Sequence, residues 1–235
     1  MYAEYAPPPR IADAIRCLWR SAPEPAERGR AIVPDGCLDL IVGPERVFIA
    51  GPDTRAWEPT SAEGGPVTGI RFRPGHAPRV LGVAADELRD QRIDLADLWG
   101  REGAGTADRL LADPKLITDL VARRLADTEP DPELDRLLIR LDRGVPRVSA
   151  ATRDLGWSER QLRRRFTVAV GYGPATYLRV ARLQRAIRTA ATASDLAGLA
   201  VAAGYADQAH LSRDCRELTG QTAADYFTRF RTARN

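Results

Sequence analysis

One pattern occurs twice in the carboxy-terminal third of the sequence, and this repeat constrains the fold more than any other feature. The first copy spans residues 149–171 and the second spans residues 194–220. In each copy a glycine-aromatic pair is followed by a leucine and, nine residues later, by a closing glycine. The matching positions are Gly156-Trp157, Leu162 and Gly171 in the first copy, and Gly204-Tyr205, Leu211 and Gly220 in the second. Each copy predicts a helix, a sharp turn and a second helix.

The residues at each turn indicate where the second helix begins. Glycine permits the positive φ that a turn between helices needs. Ser158 and Asp207 can accept hydrogen bonds from unpaired backbone N–H groups, and Gln161 completes a capping box with Ser158. We therefore predict second helices at about 158–170 and 207–219.

The first of these helices is predicted to have one packing face and one presented face. At about 100° per residue, Leu162, Phe166 and Ala169 fall on one side. The opposite side carries Arg160, Arg163, Arg164 and Thr167. An arginine run alone is more often a solvated helix face, but its position opposite an apolar stripe and after a capped turn favours a helix that enters the DNA major groove.

The second helix has the same organisation with fewer arginines. Leu211, Cys215 and Leu218 are predicted to face inward, whereas Ala209, Arg213 and Arg216 face outward with His210 at the margin. A metal-ligand role for His210 is disfavoured because the only other histidine is His76, in the other half of the chain. We interpret His210 as a DNA contact or a surface residue.

A single long helix is predicted between the two copies. Pro174 stands at a favourable first helical position, and Leu178, Ala181 and Ile187 follow at helical spacing. Such a helix would be about 27 Å long. It could place two recognition helices roughly 34 Å apart, one DNA turn, on the same duplex face.

Charge divides the chain into an acidic and a basic half. Residues 146–235 hold 15 arginines, no lysine and 7 acidic residues, a net charge of +8. The 20 basic and 25 acidic residues before Pro146 give a net charge of −5. This asymmetry is typical of a nucleic-acid-binding module joined to a module with another role.

The amino-terminal half predicts a small, mainly antiparallel β unit flanked by helices. Short apolar runs in AIVPDG, CLDLIVG, RVFIAG and VTGIRFRPG, between residues 31 and 72, are separated by glycine and proline. Helical spacing predicts a short packing helix at residues 11–20 and further helices at 78–89, at 106–127 with a break at Pro114, and at 132–142. The fold class is therefore α+β with two domains, a β-rich domain at 1–130 and an all-α domain of two helix-turn-helix units at 131–235.

The remaining composition excludes several classes of protein. The sequence has neither a signal-peptide pattern nor about 18 consecutive apolar residues, which predicts a soluble, cytoplasmic protein with no membrane partner. Three scattered cysteines and the lack of a CxxC pair predict no disulfide framework, no zinc site and no cofactor. The sequence contains no GxSxG, HExxH or P-loop motif, and GYGPAT is too short for a dinucleotide fingerprint, so an enzyme is disfavoured.

These motifs together resemble the AraC/XylS family of bacterial transcription regulators, above all in GYADQAHLSRDCRELTG followed by TAADYF. The resemblance covers about 85 to 90 residues. It implies two helix-turn-helix units joined by a long helix, with double-stranded promoter DNA as partner and, for an activator, RNA polymerase. The base-contacting positions of the family fall here on Arg160, Arg163, Arg164, Ala209, His210 and Arg213. An alanine among them suggests apolar contact with a thymine methyl group.

The front half resembles an amino-terminal domain of some related regulators through IVPDGCLDLIV, GPDTR and GIRFRPG. By that resemblance it would bind a small-molecule effector or form a homodimer. The turn at Asp35 is also explained as an ordinary β-turn. The polar residues predicted around a pocket are Asp35, Asp39, Arg71, Arg73 and His76.

Two other functions remain open at this stage. A thiol-based redox sensor could use Cys37, although nearby acids oppose the low thiol pKa that this requires. An architectural DNA binder would contact phosphates of bent or A/T-rich DNA with little base discrimination.

Overall fold

The computed structural model describes residues 1–22, 31–58 and 65–231. A β-sheet region, residues 1–126, precedes a helical region, residues 131–231. This α+β arrangement is the one predicted from the sequence.

A six-stranded antiparallel sheet forms the first region, with strand order β1-β2-β5-β3-β4-β6. The strands are β1 Tyr2–Tyr5, β2 Ile15–Ser21, β3 Asp39–Val42, β4 Val47–Ala50, β5 Val67–Phe72 and β6 Arg92–Asp94. The predicted apolar runs CLDLIVG, RVFIAG and VTGIRF correspond to β3, β4 and β5. The run AIVPDG contributes only an isolated bridge between Ile32 and Trp57.

The helix predicted at residues 11–20 is wrong, because residues 15–21 form strand β2. A short 3-10 turn at Pro9–Ile11 precedes it. A shift in pairing register between Ile15 and Cys17 turns successive apolar residues to opposite faces of the sheet. The apolar residues therefore follow a spacing that imitates a helix.

Helices cover one face of the sheet and link it to the second region. They are α1 Ala77–Leu81, α2 Leu95–Ala112, α3 Ile117–Ala126 and α4 Pro132–Asp142. The prediction for 132–142 is confirmed, and the break at Pro114 lies between α2 and α3. The helix predicted at 78–89 ends at Leu81, where Gly82 adopts a left-handed conformation, and Ala85–Leu88 form a separate 3-10 turn. Helix α2 begins at Leu95, eleven residues before the predicted start at residue 106, and is interrupted by a kink at Gly100, where φ is 59°.

Six helices complete the second region. They are α5 Val148–Ala151, α6 Glu159–Val170, α7 Pro174–Thr189, α8 Leu196–Ala203, α9 Gln208–Thr219 and α10 Ala223–Arg231. Helices α5 and α6 form the first predicted unit, α8 and α9 form the second, and α7 joins them.

Two large hydrophobic clusters divide between α3 and α4. One lies between the sheet and its covering helices and extends along the chain to Leu125. The other begins at Leu134 and includes both helix-turn-helix units. Helix α4 therefore packs with the helices that follow it.

No helix in the described residues is long and apolar enough to span a lipid bilayer. Across residues 1–22, 31–58 and 65–231, no three His, Cys, Asp or Glu side chains are grouped to hold a metal ion.

Candidate nucleic-acid interface

The first helix-turn-helix unit has the turn and the cap that the sequence predicts. Gly156 has φ of 63°, a conformation that favours glycine. The Ser158 hydroxyl accepts a hydrogen bond from the Gln161 backbone N–H at 3.2 Å, and the Gln161 side chain accepts one from the Ser158 N–H at 2.9 Å. This reciprocal capping box fixes the start of α6.

Helix α6 presents arginines on the side opposite its packing face. Phe166 is fully buried, with Leu162 and Ala169 partly buried beside it. The predicted reader arginines, Arg160, Arg163 and Arg164, are all exposed, and Thr167 is half-buried at the edge of that face. Among the described residues, no hydrogen bond or ion pair engages these three guanidinium groups. They are therefore accessible to a ligand outside the protein.

Arg165, the third member of the RRR run, has a different environment. Its guanidinium lies 2.6 Å from Asp131 and 3.2 Å from Glu133, and it stacks 3.9 Å from the centre of the Trp157 ring. Trp157 in turn donates a hydrogen bond to Glu133 at 3.1 Å. Arg165 thus attaches α6 to the start of α4 and is a structural residue.

The second unit repeats the turn and the cap. Gly204 has φ of 85°, and the Asp207 carboxylate accepts a hydrogen bond from the His210 backbone N–H at 2.7 Å. On the inner face of α9, Leu211, Cys215 and Leu218 are buried, as predicted.

The outer face of α9 carries Ala209, Arg213 and Arg216, all exposed. His210 is partly buried at the margin, with its ring edge-on to Tyr205 at 5.0 Å and its Nε2 3.8 Å from Asp214. No ion pair in the described part of the chain engages Arg213 or Arg216. The edge-on contact with Tyr205 therefore orients the His210 ring, while both arginines extend into solvent.

Helix α7 is bonded to both helices of the second unit and to α4. Its Arg179 guanidinium donates to Asp214 at 2.9 Å and also pairs with Glu217, so α7 is attached to the recognition helix of the second unit. Arg185 donates to the carbonyl of Ala203 at 3.1 Å and to that of Asp142 at 3.1 Å. These last-turn carbonyls of α8 and α4 lack partners within their own helices.

Two capped helices, each with a buried apolar face and an exposed polar face, have the form of helices that enter a major groove. A family model described as a helix-turn-helix domain matches residues 151–229. A second model, described as a domain of unknown function (DUF6597), matches residues 3–94.

The chain thus carries an AraC-type helix-turn-helix domain at residues 151–229. It is a DNA-binding transcription regulator and not an enzyme. No curated protein matches this chain in sequence.

Among solved structures, those of ToxT from Vibrio cholerae are similar to this chain over most of their length. One has 7% sequence identity and a TM-score of 0.48, and covers 97% of this chain and 98% of its own. Another, from strain O395, has 8% identity and a TM-score of 0.46, and covers 91% of this chain and 96% of its own. A third, bound to (E)-4-(8-methylnaphthalen-1-yl)but-3-enoic acid, has 6% identity and a TM-score of 0.47, and covers 91% of this chain and 97% of its own.

Three of the five predicted pocket residues lie together in the folded chain. Asp35, Arg73 and His76 line a cleft of about 450 Å³ between the sheet region and the helical region. The other polar residues of the cleft are Asp13, Arg16, Asp135, Asp142, Tyr177, Gln184 and Arg188. Most of these come from α4 and α7. No sequence motif indicates them, because only folding brings the two regions together.

Direct bonds join the two walls of the cleft. His76 Nε2 lies 3.0 Å from Asp135 Oδ1, and the Gln184 amide donates to the Pro34 carbonyl at 2.7 Å. The His76 imidazole is almost fully buried, and its Nδ1 lies 3.1 Å from the Arg79 guanidinium. His76 is therefore engaged on both ring nitrogens.

The other two predicted pocket residues, Asp39 and Arg71, do not line the cleft and instead form a largely buried ion pair on the sheet. Arg71 Nε lies 3.2 Å from Asp39, and the guanidinium also lies 3.4 Å from Asp35. The Trp19 indole donates to Asp39 at 2.7 Å. Burial alone would lower the pKa of Arg71, but Asp39 and Asp35 outweigh that effect and raise it. Asp39 and Arg71 are thus satisfied by one another.

Cys37 lies beside this ion pair and is buried. Its backbone N–H donates to the Asp35 carboxylate at 3.0 Å, which forms the predicted turn. Burial, and next the Asp35 charge, raise the pKa of the Cys37 thiol well above its ordinary value. A thiol in this environment is a poor nucleophile.

Proposed function

We propose that the protein reads a specific promoter sequence by placing α6 and α9 in adjacent major grooves of double-stranded DNA. The observation that carries this proposal is the presence, on two capped helices of one chain, of exposed arginines that have no partner among the residues the structure describes. Phosphates and guanine edges are the DNA groups that arginine binds best.

The residues proposed to contact DNA belong to the two exposed faces. On α6, Arg160, Arg163 and Arg164 are assigned to base edges, with Thr167 beside them. On α9 the readers are Ala209, His210 and Arg213. Arg216 follows one turn after Arg213 and would add a contact at the backbone.

Helix α7 provides the separation that such reading requires. Its 16 residues span about 24 Å at 1.5 Å per residue. Together with the width of the flanking units, this length suits two helices near one DNA turn apart, roughly 34 Å. One chain would then contact two short motifs on the same face of the duplex.

Two domains with different roles are part of the proposal. Residues 131–235 would form the DNA-binding domain, and residues 1–130 would form a domain that binds a small-molecule effector or a second copy of the protein. The cleft of about 450 Å³ between the two regions has the size of a small-molecule site. Its mixture of arginines and aspartates suits a polar ligand. In this proposal the protein acts in the cytoplasm and, if it activates transcription, contacts RNA polymerase.

The alternatives receive less support. A redox sensor based on Cys37 conflicts with the buried thiol and its raised pKa. An architectural binder requires phosphate contacts but no ordered readers, whereas the contact with Tyr205 orients the proposed reader His210.

Selection of bound duplexes from a random library, with the full chain at physiological salt, tests the proposal. We expect enrichment of two short motifs about one helical turn apart. Salt-sensitive binding without any enriched motif would support the architectural alternative instead.

The cleft is tested separately by a screen of polar metabolites for thermal stabilisation of the full chain. A ligand of the cleft should lose its effect in Arg188→Ala and keep it in Arg101→Ala, which alters an exposed arginine on α2. Equal stabilisation of both variants would place the ligand elsewhere.

A further inference from the structure

One loop of the sheet region contacts the carboxy-terminal ends of both recognition helices. This bracing loop, Gly51–Trp57, follows strand β4 and contains the GPDTR sequence. Its members Pro52 and Ala56 are four residues apart, so they lie within about 14 Å of each other. A short segment thus meets two helices that α7 otherwise holds apart.

Pro52 makes the contact with α6. Gly171 ends that helix in a left-handed conformation, with φ of 97°. A Cβ added to Gly171 would lie 2.3 Å from the Pro52 ring, so proline and glycine are in close contact. The Arg89 guanidinium reinforces this junction by donating to the Gly171 carbonyl at 3.4 Å.

Ala56 makes the contact with α9 through the backbone. Its N–H donates to the Leu218 carbonyl at 2.7 Å. Leu218 lies in the last turn of α9, where backbone carbonyls find no N–H donor within the helix and need one from outside it. The loop therefore satisfies a helix end that belongs to the other region of the molecule.

The bracing loop is itself held in one conformation. The Asp90 carboxylate accepts hydrogen bonds from the Thr54 backbone N–H at 2.7 Å and from its hydroxyl at 2.8 Å. Within the described residues, Asp90 is the one non-glycine residue with positive φ, at 58°. Such a conformation costs energy in a non-glycine residue and persists only where surrounding contacts hold it. The hydrogen bonds from Thr54 hold Asp90 in this way.

Arg92 holds the other half of the loop. It forms a two-point pair with Asp53, at 3.0 and 2.7 Å, and its guanidinium stacks 3.9 Å from the centre of the Trp57 ring. Both members of the pair are largely buried. Such a bidentate pair is geometrically specific, so it fixes the loop between Asp53 and Trp57.

We propose that the bracing loop sets the distance and angle between the two recognition helices, and thereby sets which spacing of the two DNA motifs the protein accepts. Asp53, Asp90 and Arg92 are positioning residues in this scheme, since they act on DNA only through the loop. This inference rests on the proposed reading of DNA by α6 and α9.

The test uses the full chain and duplexes that carry the two selected motifs at spacings from two base pairs shorter to two longer than the selected one. A duplex with a single motif is included. Wild-type protein is expected to prefer one spacing. In Arg92→Ala the ratio of affinities between best and altered spacings should fall by about fivefold or more, the lower end of coupling between linked sites. Affinity for the single motif should stay unchanged.

Arg124→Ala is the matched control. Arg124 also pairs with an acid, Glu102 at 2.6 Å, and stacks 3.9 Å from a tryptophan ring, that of Trp99, but its partners belong to the helices over the sheet. It should keep the wild-type spacing preference. Thr54→Val removes the hydroxyl contacts to both Asp90 carboxylate oxygens with little change in shape. It provides a second loop variant should Arg92→Ala fail to fold, and it should relax the preference in the same direction.

An unchanged spacing preference in folded Arg92→Ala or Thr54→Val would overturn the role of the loop while leaving sequence reading intact. Loss of single-motif binding in these variants would also overturn it, because the effect would then lie in the reading helices themselves. If the wild type selects no motif at all, the proposed function fails, and this inference fails with it.

Discussion

Arg71 and Arg92 in the sheet region lie against carboxylates, whereas Arg163 on α6 and Arg213 on α9 extend into solvent. The same type of side chain thus holds the fold at the two sheet positions and is exposed at the two helix positions. The difference depends on which groups folding places beside each guanidinium, because all four residues are arginines and composition cannot distinguish them. A net positive charge therefore indicates a nucleic-acid-binding surface only where the arginines that contribute it are not paired within the protein.

The largest expected effect tests the paired arginines. Arg71→Ala should lower the free energy of unfolding by about 3–5 kcal/mol, because it leaves the buried Asp39 carboxylate without its cation. Chemical denaturation followed by circular dichroism measures the change. Arg124→Ala, which removes a more exposed pair, should cost about 1 kcal/mol or less. Similar losses in the two variants would contradict the special role of the buried pair.

The next effect tests the unpaired arginines. Arg163→Ala should weaken binding to the selected duplex by about 1–3 kcal/mol and relax the base preference at one position. The free energy of unfolding should not change, because no described residue pairs with this side chain. Fluorescence anisotropy on matched and mismatched duplexes measures the affinity and the base preference, and chemical denaturation measures the free energy of unfolding. Arg101→Ala is the control in both assays. A uniform loss on all sequences would assign Arg163 to phosphate.

Arg165 sharpens the comparison because it adjoins Arg164 in sequence but is paired with Asp131 and Glu133. Arg165→Ala should cost about 1 kcal/mol of stability, since these pairs are partly exposed and the stacking on Trp157 adds a similar small amount. Arg164→Ala should instead affect DNA affinity without affecting stability. Both variants are compared in denaturation and binding assays. A loss of stability in Arg164→Ala together with a loss of DNA affinity in Arg165→Ala would contradict the distinction between the two residues.

A smaller effect concerns salt. If Arg216 contacts a phosphate, Arg216→Ala should reduce the slope of log affinity against log salt concentration by about 0.9. Titrations at several salt concentrations, on selected and random duplexes, measure that slope. An unchanged slope would remove Arg216 from the proposed phosphate contacts.

The smallest effect concerns the imidazole of His76, which lies at the boundary of the two regions. Burial lowers its pKa, with Arg79 acting in the same direction against Asp135. The unfolded chain therefore binds a proton at His76 more readily than the folded chain, so stability should fall as the pH drops below the unfolded pKa of about 6.5. Denaturation at pH values above and below this point, with His76→Gln as comparison, measures the effect. If the free energy of unfolding fell more steeply with decreasing pH in His76→Gln than in the wild type, the predicted direction of the His76 contribution would be wrong.

Local signals account for what the sequence predicts correctly. The starts of α6 and α9 follow from Ser158 and Asp207, whose caps depend only on residues three positions away. Helix α4 is predicted with the correct bounds, since Asp131 caps it and Pro132 suits its first position.

Long-range contacts account for what the sequence does not predict. Strand β2 has helix-like spacing because a shift in register, created by pairing with β5, turns its apolar residues to both faces. Residues 95–105 of α2 contain three glycines, yet Gly103 is needed there, since a Cβ would lie 2.0 Å from the Leu95 carbonyl oxygen. Arg71 and Asp39 are residue types that often line a pocket, but in this fold they pair with each other on the sheet.

Helix α4 has a consequence for how this protein can be divided. It precedes the segment that matches the helix-turn-helix family, yet Leu134, Leu137, Leu138 and Leu141 are all buried in the same cluster as Phe166. A recombinant fragment trimmed to the family boundary would leave that cluster open to water and would aggregate or remain molten. The smallest autonomous folding unit should start at Asp131, and a protease acting on the intact protein should cut in the exposed stretch just before it.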